Sequence, residues 1–317
     1  MQKRSKAFFI NGGAGRVVCS IPAFERYLEE SGDTDFIIVC EGGTEFFKGH
    51  PYLDAKAYDH WHKNLFADKI KHMDVETPEP YRVWEYYNQK ASLTQAFDIC
   101  INNKGVRELP NSTIILSKEE LAQGFGLVTE IKNKLKKDKV VVFQPFGRGV
   151  KEANGLILDS TGRSMDTDNV ISLIKKFQES GWAVILFSEL KPNLKEAKLK
   201  DEVAQPDGAS LRIWTSIIKH ADLFIGCDSV GQHLAHVLKI PAVAVLGSTY
   251  PINVSYPESD IFKVVDLGDK LRQYAPIRIV IDEAIDRTNE NLMYMTKEIE
   301  NYTLNVCKKL IAPHIKK

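Results

Sequence analysis

Apolar residues along this chain fall into short runs separated by longer amphipathic stretches. The clearest instance spans residues 223–251. There the run LFIG closes on Cys227-Asp228-Ser229, a helical stretch follows, and a second run, AVAVL, closes on Gly247-Ser248-Thr249. Apolar runs of strand length, bounded by Gly and Pro with a helix between them, predict a buried parallel βαβ unit. Ligands of such sheets sit beyond the carboxyl ends of the strands, which places segments 228–231 and 247–249 at a binding edge.

The same alternation continues on both sides. In the first half, residues 7–10 read as a strand that breaks into Asn11-Gly12-Gly13-Ala14-Gly15. A helix follows over 17–30 and a strand over 36–40. Residues 96–101 (AFDICI) and 113–116 (TIIL) read as further strands, and 121–137 as a helix. In the second half, strands are expected at 140–143, 183–187, 261–265 and 277–281, with helices at 169–180 and 211–220. Leu292, Met295, Ile299, Tyr302, Val306 and Leu310 recur at helical spacing and predict a long closing helix, lying over its own domain or across both. Strand and helix alternating throughout imply an α/β protein with two doubly wound, Rossmann-like domains. The expected division is 1–137, 138–290 and a closing helix at 291–317.

Composition adds limits. The chain has 317 residues, 44% hydrophobic and 26% charged, as in ordinary globular proteins. Lys+Arg and Asp+Glu are both 42, so the net charge is zero and exerts no global pull toward nucleic acid or anionic lipid. The basic run at 132–139 reads as a solvated helix end. Five scattered cysteines without metal spacing read as buried thiols of a reducing compartment. With no signal-like or membrane-spanning stretch, the expectation is a cytoplasmic protein without integral membrane association.

The candidate chemistry of the first half is mixed. Strand, glycine-rich turn and helix can present backbone amides to an anion through Gly12, Gly13 and Gly15. Gly13-Ala14-Gly15 begins a dinucleotide fingerprint, and Glu41 could mimic its ribose-binding acid. Val18, however, stands where the third glycine belongs, so an NAD-dependent oxidoreductase rests on an incomplete motif. Residues 41–95 are rich in aromatics that suit sugar or base faces and equally suit packing beneath loops. His60 and His62 bracket Trp61, but no third ligand accompanies them, so no metal site is expected.

Asp228-Ser229-Val230-Gly231-Gln232-His233-Leu234-Ala235, then Pro241, then Gly247-Ser248-Thr249-Tyr250-Pro251 resembles the signature of glycosyltransferase family nine, the lipopolysaccharide heptosyltransferases. Val230-Gly231 replaces the family's Gly-Pro. Segments 15–23 and 49–54 are similar to two further family elements. The resemblance implies the GT-B architecture, two doubly wound domains facing across a cleft, with acceptor on the first and nucleoside-diphosphate sugar on the second. It implies no required cofactor beyond that co-substrate. A diphosphate can be held by helix-terminal amides. Asp228 and Ser229 are candidate caps, Gly231 permits close backbone approach, and His233, Ser248 and Thr249 are candidate donor-binding groups. Arg148, Lys151 and Arg163 are candidate cations for the leaving diphosphate, Arg163 standing near a lysine of the family. Arg16 occupies the place of the family's aspartate base and cannot act as a base. Glu41, Asp59, His60 and His62 are the alternative bases, while Arg16 itself would suit a phosphate. The reading is an inverting sugar transferase acting on a surface glycan or on a hydroxymethylated base in DNA, as in viral DNA glucosylation. The competing reading is a nucleotide-sugar-binding module without catalysis.

Overall fold

A computed structural model describes residues 4–147, 149–153, 156–159, 161–190, 194, 197–272 and 291–312. The chain divides into two compact units, Met1–Ser117 and Lys118–Lys317.

In the first unit, β1 (Lys6–Ile10) leads through the glycine turn into α1 (Ala14–Glu30) and β2 (Ile37–Cys40). Short strands β3 (Ala57–Asp59) and β4 (Asp74–Glu76) complete a parallel sheet of order β3-β2-β1-β4. The strand order reverses between β1 and β4, the crevice where such sheets bind ligands. Helices α2 (Trp84–Tyr87) and α3 (Leu93–Asn102) follow, and α3 packs along α1.

The expected strand at 96–101 is thus a helix. Ser92 and Gln95 form a complete capping box, and Ala96, Phe97 and Ile101 lie on one buried face, so AFDICI is the apolar side of a helix. The expected strand at 113–116 belongs to no helix or strand and lies outside the sheet.

In the second unit, α4 (Lys118–Leu135) precedes β5 (Lys139–Gln144). An antiparallel hairpin, β6 (Val150–Ala153) with β7 (Leu156–Asp159), interrupts the alternation. Then come α5 (Thr167–Glu179), β8 (Trp182–Leu186), α6 (Leu211–His220), β9 (Leu223–Gly226), α7 (Val230–Val237), β10 (Ala242–Leu246), α8 (Pro251–Val254) and β11 (Phe262–Asp266). The sheet is parallel, of order β11-β10-β9-β5-β8, and reverses direction between β5 and β9. Every residue of β8, β9 and β10 is buried, as a sheet covered on both faces requires.

The division falls at Ser117/Lys118, ahead of the boundary expected near Lys137, because α4 packs closely on α6 of the second unit. A Cβ on Gly124 would stand 2.1 Å from Ser216 Oγ, so only glycine permits that approach. The expected strand at 277–281 lies outside the described residues.

The closing helix is α9 (Lys297–Ile311), capped by Thr296. It rests on α5 and the β9–β11 face of its own unit. Its buried positions are Glu300, Thr303, Leu304, Cys307, Leu310 and Ile311, so the expected stripe is corrected. Leu292 and Met295 precede the helix, and Tyr302 faces solvent. Glu300 is tolerated in this core because Asn169 and Ser172 donate to its carboxylate at 2.8 and 2.6 Å.

Candidate functional site

The reversal point of the second sheet gathers side chains from four segments. β5 ends at Gln144, whose Oε1 accepts the Gly231 amide at 2.9 Å. Ser229 occupies the N-cap position of α7, yet its side chain makes no capping bond, so one early amide of the helix is taken by Gln144 instead. A Cβ on Gly231 would stand 2.2 Å from Gln144 Oε1 and 2.6 Å from the Phe224 ring. The glycine is therefore demanded by packing against Gln144 and Phe224.

Asp228 does not cap either. Its Oδ1 accepts from Gln232 Nε2 at 3.0 Å, and its Oδ2 lies 3.7 Å from Arg163 Nη1. An acid beside a diphosphate is unfavourable unless its charge is engaged, and here both oxygens face donors. Arg163 is carried by the loop after β7. Asp159 ties that loop by accepting from Thr161 and Ser164, backbone and side chain alike. Burial pushes the Asp159 carboxyl up, but hydrogen bonds from Ser164 and Thr161 and the nearby Arg163 charge outweigh it and hold the group below the usual carboxylate range. Arg163 Nε then donates to Thr161 Oγ1 at 3.0 Å and its Nη1 to Asp228 O at 3.4 Å, the side chain being 27% exposed.

Ser248 is fully buried and donates to Thr161 O at 3.0 Å, so it braces this loop and its hydroxyl is not offered to a phosphate. Thr249 is different. It is 4% exposed, and its Oγ1 has no hydrogen-bond partner among the described residues. A buried hydroxyl of that kind costs free energy until something bonds it.

His233 also departs from expectation. Its Nδ1 lies 2.8 Å from Tyr256 Oη, and the His236 ring stacks on the same tyrosine at 3.5 Å, 5° from parallel. Burial drives both imidazoles down to about 4, His236 further disfavoured by His233, so both are neutral at pH 7. Both rings pack α7 against Tyr256. Lys151 stands exposed on β6 opposite Leu158, and Arg148 lies outside the described residues.

In the first unit the candidates collect at the carboxyl ends of β1, β2 and β3. Gly12 takes a left-handed φ of 88°, and its amide donates to Glu41 Oε2 at 2.5 Å. Gly13 is the N-cap residue of α1, with Gly15 in its first turn. A carboxylate on the turn amide occupies the approach a dinucleotide phosphate would need, which removes support from the NAD reading. Asp59 ends β3, and His60 donates its backbone N–H to Cys40 O at 3.0 Å. His62 meets Tyr58 edge-on at 5.1 Å. Among the described residues, no group of three or more His, Cys, Asp or Glu could hold a metal ion.

Arg16 is 7% exposed. Its Nη1 lies 3.4 Å from Glu79 Oε1, its Nη2 donates to Pro78 O, and Tyr81 and Phe97 lie within 5.5 Å of its guanidinium. It is an internal cation with its own carboxylate, so it serves structure ahead of any phosphate. The sequence reading passed over Glu79, Asp159 and Tyr256. Only the Pro78-Glu79-Pro80 turn gave a local signal, since the other two matter through partners far along the chain.

Residues 166–265 match the model of glycosyltransferase family 9 (heptosyltransferase). No curated protein sequence matches the chain. Among solved structures, the chain is similar to a glycosyl transferase family 9 protein from Veillonella parvula, at 12% identity with 98% of each chain covered and a TM-score of 0.64. It is also similar to Escherichia coli ADP-heptose lipopolysaccharide heptosyltransferase II (13% identity, 98% and 99% covered, TM-score 0.53). A third is E. coli heptosyltransferase WaaC solved with ADP (14% identity, 82% and 93% covered, TM-score 0.51). At these identities the structures establish the fold, GT-B with parallel α/β units. The family match over the second unit supports a glycosyltransferase. Among the described residues, no helix is long and apolar enough to cross a membrane.

Proposed function

We propose, from a second unit that carries a glycosyltransferase family 9 segment on a GT-B fold, that this chain transfers a sugar from a nucleoside-diphosphate donor to an acceptor hydroxyl with inversion. The observations that carry the reading are Arg163 beside Asp228 just ahead of α7 and, after β10, the buried Thr249 hydroxyl, unpartnered among the described residues. A cation, a hydroxyl and a helix N-terminus together suit a diphosphate without a metal.

In the reaction the acceptor oxygen forms a bond to the anomeric carbon from the face opposite the leaving group. The bond from that carbon to the phosphate oxygen breaks, and its electron pair leaves with the nucleoside diphosphate. Arg163 stabilises the charge developing on the leaving group. The acceptor proton passes to a base, for which Glu41 is the leading candidate ahead of Asp59, His60 and His62. Its Oε2 is fixed by the Gly12 amide, while Oε1 has no partner among the described residues. ADP is the nucleotide to test first, since relatives of the same fold bind it.

The test is a thermal-shift series with ADP, UDP, GDP and CMP and their sugars, followed by donor hydrolysis. A ligand at a hundredfold its dissociation constant adds about 2.7 kcal/mol of stability. One nucleotide should raise Tm in the wild type and raise it less in Thr249→Val. Nucleotide binding without hydrolysis or transfer would leave a binding module; no shift with any nucleotide sinks the donor site itself.

A further inference from the structure

The carboxyl edge of the first sheet holds groups that the donor chemistry leaves unused. Cys40 and Asp59 are register partners on β2 and β3, so Glu41 and His60 leave adjacent strands side by side. The turn that follows projects Trp61, which is 82% exposed. Its position is nonetheless fixed: its backbone N–H donates to Asp59 Oδ1 at 2.8 Å, and the His60 ring lies 4.4 Å from its indole, tilted 44°. His60 is held in turn by Nδ1 against Cys40 O at 3.2 Å. Asp59 Oδ2, Glu41 Oε1 and His60 Nε2 have no hydrogen-bond partner among the described residues.

An exposed indole beside an imidazole, with the Asp59 and Glu41 carboxylates on the same sheet edge, combines an apolar plate with several acceptors and one group able to donate. A pyranose needs that combination: C–H groups on one face to stack, and hydroxyls around the rim to donate to carboxylates. We infer that Trp61, Asp59, His60 and Glu41 form a subsite for a pyranose ring of the acceptor, an inference that rests on the transferase reading above. It selects between the two acceptors compatible with the sequence. Nucleic acid binds through phosphates, which Asp59 and Glu41 repel; exposed Lys63 supplies one charge against their two. A neutral sugar ring meets no such penalty.

The experiment uses the full chain labelled with 15N at its four tryptophan indoles, Trp61, Trp84, Trp182 and Trp214, assigned through single Trp→Phe variants. The probe is methyl β-D-glucopyranoside, whose axial C–H groups leave both ring faces apolar, with a thymidine decamer as the nucleic-acid comparison. The Trp61 signal should move saturably with the glycoside, the other three should not, and the decamer should leave it in place. Asp59→Asn should weaken the glycoside response about tenfold, a hydrogen bond to a charged group being worth that much. A Trp61 signal unmoved by the glycoside, or moved by the decamer alone, overturns the subsite. An unchanged response in Asp59→Asn overturns the rim. ADP-induced thermal shift on the same preparation reads the donor site separately. ADP binding with a silent Trp61 removes only this inference; a responsive Trp61 without any nucleotide binding removes the transferase reading and leaves a sugar-binding surface.

Discussion

The two sheets present their carboxyl edges in opposite ways. At the edge of the second, nearly every polar group is already engaged: Gln144 with Gly231, Asp228 with Gln232, Ser248 with Thr161, His233 with Tyr256. Among the described residues, the Thr249 hydroxyl is buried there without a hydrogen-bond partner. At the edge of the first, Glu41, Asp59, His62 and Trp61 face water, and the outer strands β3 and β4 are short and exposed. On the proposed reading the second edge takes a diphosphate, the same chemical object in every donor, and a rigid, prearranged site repays its construction. Acceptors differ, and an open rim of acids and aromatics can be altered one residue at a time.

The sharpest way to break that contrast lies on the open side. If Glu41 is the base, Glu41→Gln should lower kcat about a thousandfold while leaving the donor KM within a factor of two. A kcat unchanged in Glu41→Gln would move the base to Asp59, His60 or His62.

On the built side, Arg163→Ala should lower kcat/KM about a hundredfold, with most of the loss in kcat, because the cation is needed most where charge develops. Arg163→Lys should recover part of it, less than a point charge alone would give, since the Thr161 bond to Nε is lost. Equal effects on kcat/KM from Arg163→Ala and Lys151→Ala would mean that any nearby cation suffices, and the site would not be prearranged.

Acid provides a third test. His233 and His236 titrate at about 4 in the folded chain and near 6.5 when unfolded. Between those values the unfolded chain binds more protons, so folding stability is full above pH 6.5 and falls as pH drops toward 4. The fully buried His233 sets the scale at roughly 2–3 kcal/mol, the two sites being coupled and not additive. Urea melts at pH 7.5, 5.5 and 4.5, read with hydrogen exchange, should show α7 and β10 losing protection before β1 and α1. Loss beginning in the first unit would contradict the assignment.

How much of this was visible in the sequence follows the same division. Strands β9 and β10 and helix α6 are readable to the residue, because a strand buried on both faces is a continuous apolar run and Ser210 marks the helix start. The reading failed at AFDICI. A six-residue apolar window fits a strand or one face of a helix, and the Ser92–Gln95 box that decides it lies just outside that window. Site residues were legible by type and place but not by duty. Ser248, Gly231 and His233 sit at the strand ends and the start of α7 as expected, yet each is spent on a partner 23 to 87 residues distant in sequence or on packing that no local pattern encodes.

Thr249 tests the contrast most finely, because it is the exception within the built edge. Its Oγ1 is buried and unbonded, whereas Ser248 beside it is satisfied. Thr249→Val keeps the shape and removes the hydroxyl. Without ligand, the variant should be as stable as wild type or more so, by about 1 kcal/mol, since an unsatisfied polar group has been deleted. With ADP it should bind about tenfold more weakly, because the ligand would have supplied the missing bond. The two measurements must move in opposite directions. A hydroxyl that merely packs would leave affinity untouched, and one satisfied internally would lower stability on removal. Greater stability together with weaker binding is the signature of a group held unsatisfied for the donor.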